Sequence, residues 1–169
     1  MYQVLVVGNG PAGISAAIYL KRMNIDVIVV GKDLGALKDY PQKIENYYGF
    51  SEPILGSDLI NNGIQQAKEL EVQVLKDDVN HISLKNDHFE IKTNTSNFVA
   101  MSVVLATGKK RRTLNIPGYK TYRGKGISLC ATCDGFFYRD KKIAIIGHGN
   151  YMLHELNVLK NMTSSLKVF

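Results

Sequence analysis

Residues 2–31, YQVLVVGNGPAGISAAIYLKRMNIDVIVVG, decide the fold. Residues 4–7 (VLVV) form an apolar, largely β-branched run suited to a buried parallel strand. A glycine-rich turn follows at once, and apolar residues at helical spacing over 14–23 predict a helix. A second apolar run over 27–30 completes a βαβ unit. Within the turn, GNGPAG places Gly8, Gly10 and Gly13 at G-x-G-x-x-G spacing. The first glycine permits a tight turn and the second lets backbone approach a pyrophosphate. The third lets helix and strand pack closely, with the helix N-terminus facing the negative charge. Set between a strand and a helix, the pattern reads as a dinucleotide site. The acid that holds a ribose hydroxyl is expected near the end of the second strand, where Val30 and Gly31 stand. Asp33 is the nearest candidate, and an exposed loop aspartate is the competing reading.

Outward from this unit, residues 31–56 carry loop breakers in GKDLGALKDYP and NYYGFSEP. Ser57 or Asp58 is placed to cap a helix running to about Glu69, with Leu59, Ile60, Ile64 and Ala67 on one face. Residues 72–105 favour short strands. Pro117, Gly118, Gly124 and Gly126 mark a hinge over 113–126. Beyond it the pattern predicts a strand at 142–146, a helix near 152–162 and the start of another strand at 166–169. The expected organisation is a three-layer α/β, Rossmann-like domain over 1–112, then the start of a second Rossmann-like module over 127–169. A parallel sheet begun at Lys142 is not complete after two strands, so the chain reads as the first part of a longer protein.

The composition, 45% hydrophobic and 21% charged, is that of a globular protein able to bury a core. The longest apolar run is too short to span a bilayer and no signal-peptide pattern opens the chain, so a soluble, cytoplasmic protein is expected. Formal charge is +6, densest in KKRR at 109–112, which reads as a solvated loop or as a docking patch for an acidic partner. No nucleic-acid-binding motif accompanies the charge.

The two cysteines form CATC. Without an export signal, one pair at this spacing reads as redox chemistry rather than a structural framework. A zinc site would need four ligands, and His81, His88, His148 and His154 show no ligand spacing with the pair, so no metal is expected. A dithiol reduces a disulfide when a thiolate attacks sulfur and a second thiol resolves the mixed disulfide. Asp134, next to the second thiol, could move the proton this requires. Two inert buried cysteines are the competing reading.

GNGPAG, IENYYGF, ATG, CATCDGFFYR and IIGHGN occur in the order and spacing of the low-molecular-weight thioredoxin reductases, which the chain resembles along essentially its whole length. That resemblance implies an FAD domain interrupted by a nicotinamide-binding domain carrying the redox cysteines, in a homodimer. It implies FAD at Gly8, Gly10, Pro11, Ala12 and Gly13, with further cofactor contacts at Asp33, Gly35, Ala36, Asn46, Val79, Ala106, Thr107 and Gly108. Carried over the same way, Cys130 attacks the thioredoxin disulfide, Cys133 faces the flavin and Asp134 is the acid–base group.

The chain departs from the family pattern in places. The usual G-G-Q becomes Gly35, Ala36, Leu37, losing a polar flavin contact. In the second glycine motif Met152 replaces the third small residue and Tyr151 adds bulk beside it. Close packing of helix and strand is needed there, so a poor NADPH seat is expected. A branch that resembles thioredoxin reductase is fed by reduced ferredoxin and lacks working nicotinamide motifs. GHGNYM fits that branch, and net positive charge suits an acidic iron–sulfur donor. The leading expectation is therefore electron flow from ferredoxin through FAD to Cys130–Cys133 and thioredoxin. The alternatives are an NADPH-fed reductase with a degenerate turn, a flavin-binding dithiol oxidase, or an inactive fragment.

Overall fold

In the computed structural model, residues 1–38, 40, 42–109 and 114–169 are described. They fall into two compact units, Met1–Lys43 with Phe50–Arg112, and Ile44–Gly49 with Thr113–Phe169.

The first unit is built on the predicted βαβ segment: β1 (Tyr2–Val7), α1 (Pro11–Arg22) and β2 (Val27–Gly31). After the two-residue strands β3 (Lys43–Ile44) and β4 (Ile54–Leu55) come α2 (Gly56–Glu69), β5 (Gln73–Lys76), β6 (Val79–Lys85), β7 (His88–Thr93) and β8 (Asn97–Leu105). Six of these strands form one sheet in the order β5-β2-β1-β8-β7-β6. β5, β2, β1 and β8 run parallel, and β7 and β6 continue the sheet antiparallel. The side-chain period of two divides the strands between two apolar clusters. Val4, Val6, Val27 and Val29 pack with Ile14 and Ala17 of α1 and Ala67 of α2. Leu5, Val7, Ile28 and Val30 pack with Ile91 and Ala100. Burial on both faces is what selects near-continuous aliphatic runs in β1 and β2. Each fully buried side chain among them contributes about 1.5–3 kcal/mol.

The predicted cap at Ser57 or Asp58 is corrected: α2 starts at Gly56, with Leu55 at the N-cap and no side-chain capping bond. The cause is tertiary. A Cβ on Gly56 would lie 2.3 Å from the Leu37 carbonyl oxygen, so the glycine marks a close backbone approach, and the helix begins there.

The second unit contains α3 (Tyr119–Tyr122), α4 (Ala131–Asp134), a 3₁₀ turn (Gly135–Tyr138), β9 (Ile143–Ile145), α5 (Gly149–Leu159) and β10 (Leu166–Val168). β9 and β10 pair in parallel, Ile143 opposite Leu166. A small core of Ala131, Ile145 and Leu159 is bordered by Met152, Leu156 and Met162. α5 lies three residues earlier than the sequence pattern placed it. Gly149, at φ 72°, turns the chain straight into the helix, and the Met162 and Thr163 N–H groups close its end on the Leu159 carbonyl.

Candidate functional site

The turn between β1 and α1 is fixed by close backbone packing. Gly8 has φ 111°, and a Cβ there would lie 2.3 Å from the Ala106 carbonyl oxygen. A Cβ on Gly13 would lie 1.9 Å from the Gly8 carbonyl oxygen. The Gly8 N–H donates to the Val30 carbonyl at 2.8 Å and the Ala106 N–H to the Val7 carbonyl at 2.8 Å, so β1 ends pinned between its two neighbours. Gly10 differs from both other glycines. A Cβ there would meet nothing within 4 Å, which leaves open space beside the backbone at the helix start. No side chain caps α1, Pro11 begins it, and its first turn holds no acid. Its positive end and leading N–H groups are left for an anion. An open cradle and an uncompensated helix terminus together fit a dinucleotide pyrophosphate at Gly8, Gly10, Pro11, Ala12 and Gly13.

Asp33 is exposed, and its Oδ1 accepts from the Gly35 N–H at 2.8 Å, folding the segment after β2 into an Asx turn. Gly35 and Ala36 are exposed in that turn. Ala106, Thr107 and Gly108 leave β8 directly over Gly8, with Gly108 at φ 69°. Val79 is half-buried at the start of β6 against the Leu5–Val30 cluster. Asn46 lies in the 44–49 segment grouped with the second unit and is exposed there. Of the basic run at 109–112, residues 110–112 lie outside the described residues.

Asn9 was missed by sequence reasoning. It is 5% exposed, and it fills the space above Gly31, where a Cβ would come within 2.4 Å of Asn9 Oδ1. The only signal available was an amide at the centre of the glycine motif.

In the second unit Cys130 and Cys133 are joined as a disulfide, with Cα atoms 5.3 Å apart. Cys130 is half-buried and Cys133 exposed. The Cys133 N–H donates to Cys130 Sγ at 3.2 Å. Asp134 is only 3% exposed, and its Oδ2 accepts from the Ser128 hydroxyl at 2.6 Å. Ser128, also missed, accepts from the Cys130 N–H at 3.1 Å and so ties the carboxyl to the cysteine loop. The dithiol and the acid–base candidate predicted from the sequence are therefore brought together.

At the second glycine turn Met152 lies between α5 and the end of β9, against Gly147 and the small core of Ala131, Ile145 and Leu159. A Cβ on Gly147 would be 3.5 Å from Met152 Cβ, an ordinary contact, so α5 starts regularly at Gly149. In the first turn of α5 the Tyr151 hydroxyl donates to the Leu129 carbonyl at 3.2 Å. Among the described residues no His, Cys, Asp and Glu group is arranged to hold a metal ion, and no helix is long and apolar enough to cross a membrane.

Comparison with known proteins agrees with this geometry. The family model described as Pyridine nucleotide-disulphide oxidoreductase matches residues 2–158. The chain is 39% identical to a thioredoxin reductase of Treponema pallidum over 96% of its own length and 53% of the relative's. Against a thioredoxin reductase of Escherichia coli O157:H7 it is 33% identical over 97% of its length and 51% of the relative's. The crystal structure of thioredoxin reductase from Streptococcus pyogenes superposes with a TM-score of 0.89 at 31% identity, covering 99% of this chain and 55% of that one. The chain thus spans about half the length of the curated relatives it matches. With the dinucleotide turn and the Cys130–Cys133 disulfide both formed, the chain belongs to the pyridine nucleotide-disulphide oxidoreductases, a family of FAD-binding flavoproteins, and its relatives there are thioredoxin reductases.

Proposed function

We propose that the protein is a flavin-dependent thioredoxin-disulfide reductase, in which an electron pair from NADPH reaches the Cys130–Cys133 disulfide and then thioredoxin. The observation that carries this reading is a dithiol–carboxyl loop, Ser128 to Asp134, in one chain with an open phosphate turn at Gly10. FAD, when bound, accepts an electron pair from the donor and delivers it to a disulfide. Gly8, Gly10 and Gly13 with the α1 N-terminus would hold its pyrophosphate, and Asp33, after β2, is the carboxylate that would reach the ribose.

The reduced pair acts by exchange. The Cys130 thiolate attacks one sulfur of the thioredoxin disulfide and forms a mixed disulfide. Cys133 then attacks Cys130 Sγ, re-forming the intramolecular disulfide and releasing the thioredoxin dithiol. Asp134 takes the Cys133 proton and passes it to the departing thiolate. Two electrons and the Cys133 proton pass from this chain to thioredoxin, whose other sulfur takes its proton from solvent.

The regular start of α5 favours NADPH as donor. The thioredoxin reductase relatives point the same way. Ferredoxin is the second reading, on the strength of Tyr151 in the turn and the +6 charge. A hinge over 113–126 belongs to the proposal, with Gly118, Gly124 and Gly126 at positive φ supplying the freedom for one cysteine pair to serve flavin and partner in turn. The resemblance extends the reading to a cytoplasmic homodimer.

The test is anaerobic mixing of the full-length flavoprotein with NADPH or with reduced ferredoxin while flavin absorbance is followed. NADPH should bleach the flavin within the dead time of seconds. Bleaching by ferredoxin alone reverses the donor assignment. Cys133→Ser should abolish thioredoxin reduction with FAD still bound; surviving activity removes the dithiol mechanism.

A further inference from the structure

Helix α5 carries two side chains, Tyr151 and Glu155, whose polar atoms reach the cysteine loop. They are four residues apart and so share one face of the helix. The Tyr151 hydroxyl donates to the Leu129 carbonyl, and a Glu155 carboxylate oxygen accepts from the Ala131 N–H. The two backbone groups belong to the peptide units on either side of Cys130. Glu155 is half-buried, and Ala131, whose N–H it holds, is part of the small core with Leu159 of the same helix. A charge-assisted bond in such a site is about twice as strong as a neutral one and shorter. The adjoining stripe of α5 carries Met152, Leu156 and Leu159 into that core, so the helix is seated beside the loop it reaches.

We infer that Tyr151 and Glu155 form a clamp on the peptide units flanking Cys130, and that Glu155 is a positioning residue whose negative charge sets the redox poise of the Cys130–Cys133 pair. This rests on the reductase reading only for the purpose of the pair. Tyr151, bulky for a phosphate turn, has a use in the clamp that a small residue could not serve. The sign follows from the charge. A carboxylate beside the loop disfavours thiolate, and hence the reduced form, leaving the neutral disulfide untouched. The clamp therefore makes the dithiol a stronger reductant, which suits a pair that must pass electrons onward.

The experiment is redox equilibration of the full-length flavoprotein against glutathione, with the dithiol fraction read by alkylation and mass. Glu155→Gln keeps an acceptor for the Ala131 N–H but removes the charge. It should move the equilibrium about three- to tenfold toward the dithiol, ~14–30 mV for a two-electron couple. Glu155→Asp, which keeps the charge, should stay nearer wild type. Tyr151→Phe should give a smaller shift, and its effect should not simply multiply with that of Glu155→Gln, since both groups hold one loop. A Glu155→Gln midpoint equal to wild type overturns the inference, and so does a shift that Glu155→Asp reproduces in full. An unchanged thermal transition of the second unit certifies its fold in each variant. The readout needs neither thioredoxin nor an electron donor. A protein inert toward thioredoxin but showing the shift would sink the reductase reading alone.

Discussion

Two glycines of one motif, Gly10 and Gly13, are held by different forces, and substitution separates them. A methyl group on Gly13 would press into the Gly8 carbonyl, so the helix and turn must part to admit it. A methyl group on Gly10 enters open space, in the volume assigned to the pyrophosphate. Gly13→Ala should therefore lower stability, by about 1–3 kcal/mol, and lose FAD with it. Gly10→Ala should keep the wild-type melting temperature and lose at least tenfold in FAD affinity. Flavin fluorescence titration and thermal denaturation of both variants make the comparison. Wild-type FAD affinity in Gly10→Ala would remove the pyrophosphate from this turn. Asn9, between Gly8 and Gly10, shows the limit of motif reading: the x positions of G-x-G-x-x-G carry no rule, so only tertiary contact reveals that its amide packs over Gly31.

Among the secondary-structure elements, the meander β6–β8 is tied to the parallel strands by one carboxylate. Asp77, in the turn between β5 and β6, accepts from the hydroxyls of Thr93 and Thr95, each at 2.6 Å. Its own N–H donates to the Gly31 carbonyl at 3.1 Å. Hydrogen bonds from Thr93 first and Thr95 second pull its pKa from the ordinary 3.8 down to about 2. With the folded value below the unfolded one, this contribution to stability is present above about pH 4 and is lost as pH falls toward 2. Urea unfolding at pH 7 and at steps from 4 to 2 should show that loss in the wild type. Asp77→Asn should be less stable at pH 7 and flatter across the acid range; an unchanged acid limb would mean another group carries it. None of this was legible in the sequence, since Asp77 and Thr93 are joined only when β7 turns back. The β1–α1–β2 unit was legible because local pattern and tertiary burial agree there. The α2 and α5 boundaries were not, because Gly56 answers to Leu37 and Met152 to a core that the sequence does not display. At the second glycine turn Met152 packs against Gly147 while α5 still starts regularly at Gly149.

At the level of the molecule, the two units have separate cores of very different depth. In the first, Leu5, Val6, Ile28, Val29 and Val30 are completely inaccessible. In the second, a small cluster of Ala131, Ile145 and Leu159, each 6–9% exposed, packs beside a two-stranded sheet. Cores that share no residues unfold with their own free energies, so the protein should not melt as one two-state body. Calorimetry of the full-length protein should resolve two transitions, the lower from the second unit. Leu159→Ala should lower that transition alone, by a destabilisation of about 2–5 kcal/mol. Val6→Ala should lower the upper one alone. FAD at a hundred times its dissociation constant should add about 2.7 kcal/mol to whatever unit binds it, and the Gly8–Gly13 turn assigns that gain to the upper transition. A single transition displaced equally by both substitutions would show that the cores unfold together. The gain from FAD would then report the whole protein, and its binding could no longer be located by calorimetry in the first unit.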